Sequence, residues 1–201
     1  MLEAPEPLGR DEQGREILAF VAGDVPRYPM PDWLWDDAVL VAAAALLRRL
    51  HDATAGFRPP DPRWRLPARE PAEVVCHNDF APYNLVFRGR TLVGVIDFDT
   101  ASPGPRARDL AYLAYRLVPL TAPGNPDAPA TAEAERDRRL HLLCTTYGPP
   151  ADAGAVAAAV PERIDELRAF TLRRARDGGP PELLHHAALY EADARYARAR
   201  A

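Results

Sequence analysis

Three polar side chains stand at the ends of short apolar runs, where chemistry can be done: Asp79 after Val74-Val75-Cys76, Asn84 before Leu85-Val86-Phe87, and Asp97 after Leu92-Val93-Gly94-Val95-Ile96. The last two runs are joined by Arg88-Gly89-Arg90, a spacing that predicts a β-hairpin turning at Gly89. Folding at that turn brings Asn84 and Asp97 back towards each other. Carboxylates and amides are hard oxygen donors suited to magnesium, which takes few protein ligands and fills its shell with phosphate and water. Phosphoryl transfer needs such a metal, and a carboxylate to orient an attacking hydroxyl and accept its proton. Asn84 and Asp97 fit the first need, and Asp79 remains for the second.

The elements around them read as follows. Pro7 to Ala22 carries two apolar stretches about a polar turn at Asp11 to Gly14 and predicts a hairpin. Asp36 or Asp37 opens a helix stopped by Gly56, with Val39, Ala43, Leu46, Leu47 and Leu50 at helical spacing. Arg58 to Pro71 and Thr121 to Ala130 are rich in proline and read as loops. Helices are expected over Ala107 to Val118, Thr131 to Tyr147 and Pro181 to Arg200, with one or two over Ala151 to Arg176, the second starting at Pro161. The order predicts an α+β fold dominated by helix.

The segment Cys76 to Ala111 resembles a known family. His77-Asn78-Asp79 with Asn84 five residues on resembles the catalytic loop H-x-D-x-x-x-x-N of protein-kinase-like enzymes. Ile96-Asp97-Phe98-Asp99 resembles the metal-binding motif of the aminoglycoside phosphotransferase and choline kinase branch. The resemblance implies a protein-kinase-like fold, mainly its helical C-terminal lobe with a small catalytic hairpin. It divides the chain into residues 1–25, a remnant of the N-terminal lobe and hinge strand, and residues 26–201, the helical catalytic and substrate lobe. It implies that Asp79 is the base, that Asn84 and Asp97 hold Mg2+, and that His77 and Asp109 brace the loop, with Asp99 at a second metal or the substrate. Phe20 and Ala22, in the strand leading to the hinge, and Val86 and Ile96, under the base, would bind ATP or GTP. The acceptor would be a hydroxyl of an amino sugar or amino alcohol, which ties the chain to antibiotic resistance.

Two departures accompany the resemblance. Asn78 stands where this branch usually has glycine, and asparagine tolerates left-handed backbone better than most residues. The chain shows no Gly-rich loop, and its 25 basic residues are all arginine, so no lysine can grip a phosphate. Arg10 and Arg15 are the substitutes considered. The rival expectation is therefore a truncated, inactive pseudokinase or small-ligand binding module.

Composition sets the outer bounds. A chain of 201 residues, 47% hydrophobic and 27% charged, has the makeup of a soluble globular protein. Its net charge of -4 and lack of a basic stripe argue against nucleic acid. Asp24, Asp32, Asp36, Asp37, Glu191 and Asp193 are candidates to line a site for a cationic acceptor. Cys76 and Cys144 lack metal-ligand spacing and read as reduced, buried thiols of a cytoplasmic protein. Tyr112 and Tyr115 read as core, and Trp33 and Trp35 as packing across the lobe boundary. No run approaches the length needed to span a membrane, and a face uncovered by the short first segment would favour a homodimer.

Overall fold

In the computed structural model, residues 4–59 and 63–200 are described. Residues 1–3 of the first expected segment, residues 60–62 of the Arg58 to Pro71 loop and residue 201 of the catalytic and substrate lobe lie outside that range. The elements run β1 (Pro7–Arg10), β2 (Glu16–Leu18), α1 (Asp37–Thr54), β3 (Val74–Cys76), β4 (Leu85–Arg88), β5 (Thr91–Val95), β6 (Ser102–Gly104), α2 (Arg106–Leu117), α3 (Glu133–Tyr147), α4 (Ala153–Arg176) and α5 (Glu182–Arg200). Among the described residues, three two-stranded antiparallel sheets, β1–β2, β3–β6 and β4–β5, accompany the helices. The fold is α+β and mainly helical.

The apolar positions of α1 do what their spacing requires: Val39, Leu40, Ala43, Leu46, Leu47 and Leu50 are buried. In α2 every residue from Asp109 to Leu117 is buried. A helix buried all round lies at the centre of its domain, and α2 packs against α4, α1 and β3. Its first turn is capped from outside, since the Arg106 amide donates to the Glu73 carboxylate at 2.8 Å. An anion there satisfies amides that have no partner within the helix and suits the positive end of the helix dipole.

One sequence expectation needs correction. Pro161 does not begin a second helix; it lies buried inside a continuous α4. The packing of α4 on α2 along one side and α5 along the other outweighs the one hydrogen bond that proline forfeits. β6, with the residues Ser-Pro-Gly, has no apolar run of its own and forms a strand by pairing with β3.

The β1–β2 hairpin stands apart and leaves Leu8, Ile17 and Leu18 exposed. The chain then crosses β4, where Asp24 and Phe87 exchange backbone hydrogen bonds of 2.8 Å in both directions. Gly23 permits this approach: it has φ 148, and a Cβ there would stand 2.6 Å from the Phe87 carbonyl oxygen and 2.7 Å from Val86 Cγ1. Trp33 meets Phe87 edge-on at 5.0 Å, joining this segment to the core. No helix among the described residues is long and apolar enough to cross a membrane.

Candidate functional site

Asp79 leaves β3 on a loop and is followed by a 3-10 turn, Pro82–Asn84. That turn carries Tyr83 and Asn84 round to the carboxylate. Tyr83 donates its hydroxyl to Asp79 Oδ1 at 2.8 Å, and Asn84 donates Nδ2 to Asp79 Oδ2 and to the Asp79 carbonyl, both at 2.9 Å. Two acceptors face the amide nitrogen of Asn84, so the amide oxygen is the end left for a cation. The hairpin closes as the sequence implies: the Ile96 amide donates to the Asn84 carbonyl at 2.9 Å, which puts Asp97 one residue beyond the end of that ladder. Asp97 is exposed and has φ 65, a left-handed conformation costly for a residue with a Cβ.

Asp109 is fully buried at the start of α2 and accepts the amides of His77 at 2.6 Å and Asn78 at 2.8 Å. His51 Nε2 lies 3.2 Å from the same carboxylate, and its Nδ1 lies 2.7 Å from the Tyr147 hydroxyl. Burial opposes the Asp109 charge, yet the hydrogen bonds from His51 and from the His77 amide hold its carboxyl below the ordinary value. His77 spans the two halves of the motif. Its Nε2 is 3.0 Å from the Ile96 carbonyl, which requires the proton on that nitrogen, and its Nδ1 then accepts the Asp79 amide at 3.3 Å.

Asn78 has φ 65, the left-handed backbone its type tolerates. Its side chain is not idle: Nδ2 donates to Thr100 O at 2.8 Å and Ser102 Oγ at 2.9 Å, while Oδ1 accepts from Arg108. Thus the asparagine ties the loop to β6 and α2 in a way glycine cannot.

Behind Asp79 lies a network that spacing did not reveal. Tyr83 spends its only proton on Asp79, so at its 2.9 Å contact with Tyr112 the Tyr112 hydroxyl must donate. Tyr112 in turn accepts from Arg116 Nε at 3.3 Å and from a terminal nitrogen of the same guanidinium at 3.1 Å. Every donor in the chain Arg116–Tyr112–Tyr83 points towards the carboxylate, an order in which each bond polarises the next. The guanidinium also sits over the rings of Tyr83, Tyr112, Tyr115 and Tyr190 at 4.8 to 5.9 Å from their centroids. Burial raises the Tyr83 hydroxyl well above its ordinary value of 10.0, so it stays a donor.

A cavity of about 300 Å3 opens against Asp79, walled by α4, α5 and the loop before β3. The remaining sequence candidates lie elsewhere. Asp99 is exposed and pairs with Arg65. Val86 is buried beneath Gly23, Ile96 is half-buried, Phe20 is 87% exposed, and the Ala22 carbonyl accepts from Arg88 Nε at 3.0 Å. Arg10 pairs with Glu16, and Arg15 pairs with Asp11. None of the acidic residues named for a cationic acceptor lines the cavity. Asp37 pairs with Arg138 and Arg139, Glu191 with Arg168, and Asp193 is buried beneath Tyr115 and Asn125. His51, Cys76 and Asp109 lie close enough together to hold a metal, but the contacts of His51 and Asp109 above, and that of Cys76 Sγ with the Pro105 carbonyl at 3.3 Å, already occupy them.

Residues 61–144, which hold all of the loop, hairpin and α2, match the model of the phosphotransferase enzyme family. The fold is that of kinase-like phosphotransferases. A putative aminoglycoside phosphotransferase from Ralstonia eutropha superposes with a TM-score of 0.61 at 16% identity over 92% of this chain and 73% of that one. An ethanolamine kinase of Plasmodium vivax gives 0.66 at 11% identity over 98% and 69%. An aminoglycoside phosphotransferase in a ternary complex with streptomycin and ATP gives 0.52 at 15% identity over 94% and 75%. The resemblance carried by Cys76 to Ala111 is thereby shown. A curated relative, the trifolitoxin immunity protein of Rhizobium leguminosarum bv. trifolii, is 40% identical over 108 residues, 50% of this chain. The match spans only 40% of that relative's length.

Proposed function

We propose that the chain transfers the γ-phosphoryl group of ATP or GTP, with Mg2+, to a hydroxyl of a small molecule. The observation that carries this reading is the arrangement of three motif residues on one loop and hairpin, of which Asp79 lines the cavity. Asp79 is held there by two donors, Asn84 turns its amide oxygen free, and Asp97 follows the residue paired with Asn84. The donor set fits a hard cation: an amide oxygen, and an exposed carboxylate with no partner among the described residues. Bound there, Mg2+ would neutralise charge developing on the phosphates.

The chain's own residues supply the rest. Asp79 orients the acceptor hydroxyl from the cavity side and takes its proton. Tyr83 and Asn84 keep the carboxylate from rotating, which preserves the alignment on which transfer depends. Asp109 and His77 fix the loop from beneath. Residues 1–25 are read as the lobe and hinge segment, with Phe20 and Ala22 on the nucleotide side and Val86 and Ile96 beneath the base. The relative named for immunity to a toxin suits a protective role in which an inhibitory compound is inactivated by phosphorylation.

The test is transfer of labelled phosphate from ATP and GTP to a panel of hydroxyl compounds, with and without Mg2+. Asp79→Ala should abolish transfer and leave the thermal transition in place. Transfer by that variant at the full rate would remove Asp79 from its role. A wild-type chain that binds nucleotide but transfers nothing would be the binding module instead.

A further inference from the structure

The wall of the cavity facing Asp79 has a charge opposite to that of the chain as a whole. Although the net charge is -4, Arg69, Arg108, Arg163, Arg173 and Arg174 line this space against two carboxylates, Asp79 and Glu166. Glu166 pairs with Arg69 and Arg108. Arg163, Arg173 and Arg174 have no carboxylate partner among the described residues.

Arg163 is the informative member. It sits in the interior of α4, only 7% exposed, with its guanidinium 4.4 Å from the centre of the Tyr112 ring. One terminal nitrogen donates to the Asn78 carbonyl, but Nε is buried with no partner. A buried donor left bare costs stability, and burial lowers the affinity of this group for its proton. Arg173 and Arg174 alone would be ordinary helix-end cations, favoured by the dipole at the end of α4. A buried mid-helix arginine that lines the same cavity with no carboxylate partner among the described residues has no such explanation. Leu167 and Phe170 supply an apolar surface between Arg163 and the two exposed arginines.

Resting on the phosphotransferase reading, we infer that the acceptor is an anion: a hydroxyl compound bearing a carboxylate or phosphate group on a compact apolar body. The arginines take the anionic group, Leu167 and Phe170 take the apolar part, and the hydroxyl meets Asp79. Guanidinium forks match both kinds of oxyanion, and a cavity of about 300 Å3 admits only a small molecule. This replaces the cationic amino sugar or amino alcohol expected from the motif.

Arg163→Ala would also strip the Asn78 carbonyl and unsettle the loop, so the test uses the exposed pair. Wild type, Arg173→Ala and Arg174→Ala are assayed with ATP and Mg2+ on N-benzoyl-serine, its uncharged amide, glycerol 3-phosphate and ethanolamine. Calorimetry of the same compounds is run on the Asp79→Ala chain. The expected result is preference for an anionic compound, with its KM raised roughly tenfold in each arginine variant, about the 1.4 kcal/mol of one charged contact, and the KM for ATP unchanged. N-benzoyl-serine against glycerol 3-phosphate tells carboxylate from phosphate. Binding of an anion to Asp79→Ala, weakened by adding either arginine substitution, upholds the inference even where no transfer is seen and the phosphotransferase reading has failed. Transfer to ethanolamine or the amide with the arginine variants unaffected overturns the inference and leaves that reading intact. A raised KM for ATP in the variants also overturns it, by assigning the arginines to nucleotide.

Discussion

Replacing Asp109 by asparagine should destabilise the protein by an amount its surroundings define. The carboxylate accepts from the amides of His77 and Asn78 and from His51. Asparagine has the same shape but only one accepting atom on its amide head. If its oxygen faces His77, its NH2 confronts the Asn78 amide; if it is turned over, it confronts the His77 amide at the position where the carboxylate stands 2.6 Å away. His51 can adapt by moving its proton to Nδ1, but a backbone amide cannot. One buried amide is orphaned in either orientation, at about 1–3 kcal/mol. For a chain of this size each kcal/mol lowers the midpoint by about 2–4 °C, so a fall of about 4–8 °C is expected near the middle of that range. Differential scanning calorimetry reads this directly. The sign with pH follows from the depressed folded value: the contribution is complete above the ordinary carboxylate value of 3.8 and is lost as pH falls through the lower folded value. The gap between wild type and variant should therefore narrow only in strong acid. A midpoint within about 2 °C of wild type at neutral pH would refute the account of Asp109 as the acceptor that holds the loop.

Other substitutions separate the remaining roles. Asn78→Gly relieves the left-handed cost but removes the bonds to Thr100, Ser102 and Arg108; a net loss of about 2 kcal/mol is expected by urea denaturation, whereas a gain in stability would show those bonds to be idle. Tyr83→Phe cuts the link between Asp79 and the Arg116 cage and should lower kcat about tenfold with little change in acceptor KM, because it frees Asp79 to rotate while keeping the ring that lines the cavity. Burial pushes the Cys76 thiol up strongly and the Cys144 thiol to about 11. Both should resist a disulfide reagent at pH 8 until denaturant is added, and rapid labelling of the native chain would contradict their burial.

The local chemistry of the loop could be read from spacing because it is made of neighbours. Five residues separate Asp79 from Asn84, and a single hairpin returns the chain from Asn84 to Asp97, so the geometry follows from a 3-10 turn and one ladder. α1 and the outer helices announced themselves by apolar residues at helical intervals. The first correction came where packing outvoted a local signal. Pro161 reads as a start, yet it sits mid-helix because α2 and α5 clamp α4 on both sides. Ser102-Pro103-Gly104 carries no apolar run and becomes a strand because β3 offers it a partner.

Polar residues on the far face of α2 were opaque for a related reason. In sequence, Tyr112 and Tyr115 read only as core and nothing marks Arg116, since periodicity assigns one apolar face and does not say what the other meets. Only when α4 and α5 close over that face do Arg116 and four tyrosine rings meet, and only then does a directed chain of hydroxyls reach Asp79.

What the order of residues settled by itself is the loop that carries Asp79 and Asn84, the hairpin that follows it and the helix-rich class, because each depends on contacts a few positions apart. The tertiary structure alone decided the sign of charge facing Asp79. Arg69, Arg108 and Arg163 are tens of residues apart and belong to a loop and two helices. No local pattern marks them, and their summed field exists only where the chain brings them round a common space.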